Sequence, residues 1–354
     1  MKASAQLFMP NIGLPMPDTF TTILGRLAAG EDLEASEMTA AMAAIMSGER
    51  PNGEIGLFLT SLAAKGETAE EVAGAARAMR AHMTPIRSRY DRLLDTCGTG
   101  GGGSNLFNVS TTAALVIAAT GVPVAKHGNR SVTSRSGSAD VLAELGVNIA
   151  ATIPQVERCL DELGVCFCFA PLMHPAMKHV AAVRKELGIR TIFNVLGPLS
   201  NPAGASHQLL GAGRPELRPL LASALRLLDI EHALVVSGED GLGEATLTGA
   251  TFATEVSHGE EREVLYRPED FGLAVQSLDS ARVENPAESA AIVRGGLAGE
   301  PGAARDIVTL NAACGLMTVD PTLPPTAAAK RAAQAIDSGA AGELLQKLAA
   351  LSHG

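Results

Sequence analysis

The strongest constraint on how this chain can fold lies between Asp95 and Asp140. There a glycine-crowded turn, Gly98-Thr99-Gly100-Gly101-Gly102-Gly103, follows a short apolar run and precedes a helical one. Glycines let the backbone approach a ligand closely, and successive N–H groups in such a turn form a concavity for anions. Residues Leu93 to Thr96 read as a strand end. Ser110 and Thr111 open an apolar helical stretch ending near Gly121, so their hydroxyls and the free amides of the helix start can face the same anion. Val122 to Ala125 then reads as a short buried strand. That sets Lys126-His127-Gly128-Asn129-Arg130 at a strand's carboxyl end, where open α/β sheets keep their ligand crevice. Two cations, an imidazole and an amide are costly to hold near a core without an anionic partner. A glycine turn alone reads as a flexible loop, and a basic run alone as a solvated one. Together they read as a polyphosphate cradle.

Hydrophobic periodicity divides the chain in two. Residues 18 to 88 read as all-helical, with apolar positions at helical spacing in Phe20-Ile23-Leu24-Leu27 and in Met42-Ile45-Met46. Gly30, Gly48, Gly53 and Gly66 punctuate this part, Thr68 with Glu71 makes a capping box ahead of Val72, Ala75 and Met79, and Pro85 closes it. These breaks predict about four helices. From Leu93 onward, β-like runs (Val122 to Ala125, Cys166 to Ala170, His232 to Ser237) alternate with helical ones (Ala139 to Leu145, Ala176 to Leu187, Leu217 to Leu228). Such alternation predicts a mainly parallel β-sheet covered by helices. Thr-rich alternation over 245–267, around Ser257-His258-Gly259, predicts added antiparallel strands, and the Ala-rich tail from Thr326 to Leu351 predicts a helix packed on the surface. The fold class is α/β: a small all-helical N-terminal domain over 18–90 and a larger α/β domain over 91–354.

Composition removes several classes of function. A net charge of −10 opposes a nucleic-acid surface, and the lack of Trp with only two Tyr denies base-stacking platforms. Hydrophobic content of 46% with 19% charged residues suits a soluble enzyme with a large core. The five cysteines, Cys97, Cys159, Cys166, Cys168 and Cys314, lack zinc-site spacing and read as reduced thiols of a cytoplasmic protein. Cys166 and Cys168 alternate with Phe167 and Phe169 and read as core fillers, whereas Cys97, beside the glycine turn, reads as partly exposed. Met1 to Pro17 has no apolar run long enough for a secretion signal, and the apolar stretch from Ala113 to Val124 is too short to span a bilayer. No membrane partner is expected.

Further motifs lie in register with the two loops: Ser131-Val132, Ser136-Gly137-Ser138-Ala139-Asp140, His174-Pro175-Ala176-Met177, Arg190-Thr191-Ile192-Phe193-Asn194, Leu196-Gly197-Pro198-Leu199 and Asn201-Pro202. In order and spacing, from about Asp18 onward, the chain resembles the anthranilate phosphoribosyltransferase family, which shares its fold with the pyrimidine nucleoside phosphorylases. The resemblance implies that the amine of anthranilate displaces pyrophosphate from C1 of 5-phosphoribosyl 1-pyrophosphate, with inversion, through an oxocarbenium-like transition state. It implies Mg²⁺ as cofactor, a place in tryptophan biosynthesis, and a homodimer formed through the helical domain. It also implies that helices around 176–205 join the small domain in space, leaving a cleft between domains.

That reaction makes two demands: charge building on the departing pyrophosphate must meet pre-placed cations and amides, and a weakly nucleophilic amine must be held against C1. For the first, the resemblance matches Gly98, Gly101, Gly102, Leu106, Asn108, Val109, Ser110, Thr111, Lys126, His127, Gly128, Asn129, Arg130, Ser131, Val132, Thr133, Ser134 and Ser138 to the sugar pyrophosphate. It matches Ser110 and Glu244 to Mg²⁺, an ion that keeps several waters and meets few protein groups. For the second, it matches Gly98, Asn129, His174 and Arg184 to anthranilate, Arg184 facing the carboxylate because a guanidinium fork suits a planar acid. His127, Asn129 and Arg184 are the expected catalytic residues.

Blander readings stand beside these: a structural imidazole for His127 or His174, a surface carboxylate for Glu244, a helix-surface arginine for Arg184. Three positions depart from the family pattern. Leu106 stands where Thr is frequent, and Gly102 and Gly243 stand where Asp is usual; the two lost carboxylates put a second Mg²⁺ in doubt. Two other functions remain open here. A nucleoside phosphorylase characteristically follows its lysine with a Ser/Thr/Gly-rich loop rather than His127-Gly128-Asn129-Arg130, and the charge opposes a catalytically silent, nucleic-acid-binding paralogue.

Overall fold

The structure is a computed structural model and describes residues 19–100, 105–131 and 135–354. Four helices come first: α1 (Thr19–Ala28), α2 (Ala35–Met46), α3 (Asn52–Lys65) and α4 (Ala69–Ala81). The Thr68–Glu71 capping box forms, with Thr68 Oγ1 accepting from the Glu71 N–H at 3.2 Å and the Glu71 carboxylate accepting from the Thr68 N–H at 2.9 Å. The same buried carboxylate takes the Lys65 ammonium at 2.9 Å and the Leu33 N–H at 3.0 Å. One acid thus ties the start of α4 to the end of α3 and to the loop entering α2.

Strands and helices then alternate: β1 (Leu94–Gly98), α5 (Val109–Ala119), β2 (Val124–Gly128), α6 (Ser138–Glu144), α7 (Ile153–Leu163), β3 (Val165–Phe169), the single turn α8 (Ala170–Met173), α9 (Lys178–Leu187), the single turn α10 (Phe193–Leu196), β4 (His207–Gly211), α11 (Leu217–Leu227) and β5 (His232–Gly238). An antiparallel pair follows, β6 (Thr251–Ser257) and β7 (Glu260–Tyr266), and then α12 (Pro286–Leu297), α13 (Ala303–Val319), α14 (Pro325–Asp337) and α15 (Ala340–Leu351). The seven strands form one sheet in the order β3-β2-β1-β4-β5-β6-β7, parallel from β3 to β5.

Alternate strand residues feed two cores, as the period of two requires. Leu209, Leu234 and Val236 pack with α5, α6, α7 and the four C-terminal helices, whereas Leu210, Ala233 and Val235 pack with α11. The second core continues without a break from α11 through α4 into α1, α2, α3, α9 and α10.

Two sequence expectations need correction. The helix expected from Ala176 starts at Lys178, because Pro175 opens a separate 3₁₀ turn, Pro175–Met177. The tail is two helices, since Gly339 adopts φ +79°, and it is not superficial: Ala328, Ala332, Ile336, Ala341 and Leu348 are buried in the main core. Alanines leave room for the close approach of α13 and α14. No helix of the described residues is long and apolar enough to cross a membrane.

Candidate active site

The chain runs from β1 outward to β2 and β3 and then returns to place β4 on the other side of β1. The crevice beyond the carboxyl ends of β1 and β4 is therefore the topological switch point of the parallel sheet. Gly98 and Gly211 lie opposite each other at those ends. Gly101, Gly102 and Gly103, with Val132, Thr133 and Ser134, lie outside the described residues.

Next to this crevice, β2 delivers Lys126 and α5 delivers Ser110. The buried Lys126 ammonium donates to the Thr96 carbonyl and, at 3.3 Å, to Ser110 Oγ. Burial lowers its pKa from the usual lysine value, while Asp95 and Glu244 oppose that shift. Glu244 comes from the loop between β5 and β6, and its carboxyl is pushed up to about 7 by burial, against the pull of Lys126 and the Ser110 N–H. Ser110, Lys126 and Glu244 are thus brought together from three elements. No cluster of three or more His, Cys, Asp or Glu side chains among the described residues could cage a metal. One carboxylate and one hydroxyl nevertheless suit Mg²⁺, which takes its other ligands from water and phosphate oxygens.

Asp95 carries no motif that assigns it a role, although a carboxylate in an apolar strand is itself a signal. It is fully buried on β1 and accepts the His127 N–H at 3.0 Å, holding β2 in register beside Lys126. Cys97 is buried, contrary to expectation, with Gln208 Nε2 3.0 Å from its sulfur. Burial pushes its thiol well above the ordinary range.

The two candidate histidines meet each other. His127 Nδ1 lies 3.0 Å from the Gly197 carbonyl, and His127 Nε2 lies 3.2 Å from His174 Nε2. A carbonyl only accepts, so the proton sits on His127 Nδ1 and His174 Nε2–H donates to His127 Nε2. Burial depresses both rings, His127 to about 3 and His174 to about 4. Both are neutral near pH 7, and both nitrogens of His127 are occupied inside the protein. This geometry makes His127 a strut between β2 and residue 197.

Asn129 and Arg130 are exposed at the end of β2. Asp140 gathers their loop: it pairs with Arg130 at 2.8 Å and accepts the N–H groups of Ser131 and Gly137 at 2.9 and 3.1 Å. Ser138 Oγ donates to the Asn129 carbonyl and accepts the Asn129 N–H, both at 3.2 Å. A Cβ on Gly128 would lie 2.8 Å from the Phe167 ring and would run into Ser138 Oγ, so a side chain there would displace both.

Before α5, Asn108 Oδ1 accepts from Ser136 Oγ at 2.6 Å and from Ser289 Oγ of α12 at 2.8 Å. Ser289, 181 residues away, gave no sequence signal. Val109 is buried, and the buried Thr111 lines a small cavity together with Lys126, Leu115 and Leu142. Leu106 pairs with Arg282 and turns its side chain to the main core.

Arg184 lies on α9, half-buried, its guanidinium 5.2 Å from the centroid of the Phe193 ring. Burial lowers its pKa from the usual arginine value. Among the described residues it has no carboxylate partner. No direct contact joins it to Lys126. The link runs along α10, from Phe193 to the Gly197 carbonyl that holds His127.

Gly243 is more than a missing carboxylate. A Cβ there would lie 2.9 Å from Gly213 Cα and 3.0 Å from its nitrogen, both backbone atoms that cannot swing aside. Gly213 N–H in turn donates to Thr99 Oγ1 at 3.0 Å, so Thr99, the end of β4 and the Glu244 loop pack together.

A helical bundle set on a parallel sheet, with a cationic crevice at the switch point, is the architecture of one class of glycosyltransferase. Residues 21–83 match the helical bundle domain of the glycosyl transferase family, and residues 90–342 match its a/b domain. The chain is 48% identical over 344 residues to the anthranilate phosphoribosyltransferase of Geotalea uraniireducens, covering 93% of this chain and 98% of that one. It superimposes on the anthranilate phosphoribosyltransferase of Thermus thermophilus with a TM-score of 0.88 and 42% identity, over 94% of this chain and 99% of that one. With the Saccharomyces cerevisiae enzyme in complex with PRPP and Mg, the TM-score is 0.86 at 28% identity, over 95% and 98% of the two chains. The chain belongs to the anthranilate phosphoribosyltransferase family.

Proposed function

We propose that this protein transfers the phosphoribosyl group of 5-phosphoribosyl 1-pyrophosphate to the amine of anthranilate, giving N-(5-phosphoribosyl)anthranilate and pyrophosphate in tryptophan biosynthesis. One observation carries the reading: a buried ammonium, Lys126, and a half-buried guanidinium, Arg184, are held on connected elements, and neither forms an ion pair among the described residues. Burying cations is unfavourable unless anions arrive to meet them. A substrate pair carrying a pyrophosphate and a carboxylate meets both.

In this reading Lys126, the amides after Gly98, the start of α5 at Asn108 to Thr111, and the loop from Gly128 to Ser138 bind the sugar pyrophosphate and stabilise the charge gathering on it as the bond to C1 breaks. Ser110 and Glu244 hold Mg²⁺, which when bound supplies further positive charge toward the leaving group. Arg184 takes the anthranilate carboxylate, and Asn129 orients the amine toward C1. The neutral His127–His174 pair keeps the strand and the residue-197 turn at fixed separation and carries no proton in the reaction.

The same reading takes residues 18–90 with the helices at 176–205 as one domain and 91–354 as the other. It also takes the protein as a cytoplasmic homodimer. Supporting this, all five cysteines are unpaired thiols, and Leu57 on α3 and Ile189, just past the end of the neighbouring α9, are exposed at 49% and 50%. The test is direct: anthranilate fluorescence should fall when protein, Mg²⁺ and 5-phosphoribosyl 1-pyrophosphate are mixed, with one pyrophosphate released per anthranilate consumed. No change under any divalent metal would refute the activity.

A further inference from the structure

Asn311 lies at the middle of α13, fully buried, 66 residues from the loop that carries Glu244. Its side-chain amide pairs with a peptide as a strand would. Oδ1 accepts the Ala245 N–H at 3.0 Å, and Nδ2 donates to the Ala245 carbonyl at 2.9 Å and to the Ile307 carbonyl at 2.9 Å. Both N–H bonds and one lone pair are thereby used in an apolar core, where an unpaired amide would be costly. Helix packing alone would favour an aliphatic residue at this position. The polar one matches a particular need, because Ala245 is buried in the link between β5 and β6 and has no strand partner for its peptide groups.

The Ala245 N–H belongs to the peptide bond that leaves Glu244. Fixing that peptide plane fixes the direction in which Glu244 departs the backbone. On the other side, Gly243 is pressed against the backbone of Gly211 and Gly213. One turn along α13 from Asn311, Gly315 admits Ile117 of α5, the helix whose first turn carries Ser110. The same rigid helix therefore touches both elements that present the metal-facing oxygens.

We infer that Asn311 is the positioning residue for Glu244, and that α13 sets the separation of Glu244 from Ser110. The inference rests on the reading of Ser110 and Glu244 as the Mg²⁺-facing pair. Partners of this kind, which orient a ligand without touching the ion, typically change metal affinity about 10- to 100-fold when removed.

The test uses Mn²⁺ as the probe, with inorganic pyrophosphate present and the free ion read by electron paramagnetic resonance. Asn311→Ala and Asn311→Ser, each checked for folding by its melting curve, should bind Mn²⁺ about tenfold more weakly than the parent. The Michaelis constant for anthranilate at saturating metal should stay within about twofold of the parent value, a split that a general loosening of the core would not produce. Parent-like Mn²⁺ affinity in either folded variant overturns the inference. So does failure of both to fold, which would make Asn311 a requirement of the core as a whole. Glu244→Gln in the same assay separates the two readings: if it also binds Mn²⁺ like the parent, the assignment of Glu244 is what fails.

Discussion

The buried pair His127–His174 makes acid stability a measure of how this site is built. Both imidazoles are nearly inaccessible, at 5% and 4% exposure, and burial holds them at about 3 and about 4 against an ordinary value of 6.5. A lowered histidine pKa means that, between the folded and unfolded values, the unfolded chain binds more protons. Stability is then complete above about pH 7 and drains away as the pH falls through 6.5. At pH 5 the folded pair is still neutral, whereas each unfolded imidazole is almost fully charged, so each histidine withdraws about 2 kcal/mol and the pair about 4 kcal/mol. His174→Gln keeps a donor toward His127 Nε2 but removes one titrating group. Urea unfolding of both proteins at pH 7.5 and pH 5 should show that the variant loses about 2 kcal/mol less than the parent on acidification. Carboxylates elsewhere titrate equally in the two proteins and cancel in the difference. If the parent and the variant lose stability equally, the rings are not held neutral and the strut assigned to them is wrong.

Two further substitutions probe the crevice. Arg184→Ala should lower kcat/KM for anthranilate by about 30-fold or more, since losing one charged partner from a desolvated pair costs roughly 2 to 5 kcal/mol, with the Michaelis constant for the sugar pyrophosphate nearly unchanged; an equal rise in both constants would make Arg184 architectural. Gly243→Asp should destabilise the protein by about 1 to 3 kcal/mol in a thermal melt, through forced displacement of Gly213, and should not strengthen Mn²⁺ binding; a variant as stable as its parent would show that the loop yields.

Much of this molecule is legible in its sequence because its decisive features are local. A strand end, five glycines within six residues and a helix start follow one another in Asp95 to Thr111, and hydrogen bonding over a few residues dictates that order. The four helices of the bundle are likewise marked by glycine breaks and the Thr68–Glu71 cap. The hairpin β6–β7 turns at His258 and Gly259, both with positive φ, where the sequence places it. The tertiary structure alone decided which groups are spent on one another. His127 and His174, 47 residues apart, read in sequence as residues lining the substrate pocket and are mutually capped in space. Ser289 and Asn311 look like plain helix residues, yet they hold Asn108 and the Glu244 loop. Gly243 reads as a lost carboxylate but is a contact that admits no side chain. Hydrogen-bond partners and backbone contacts of this kind depend on chain segments that meet only after the sheet has closed, and no local pattern of residues encodes them.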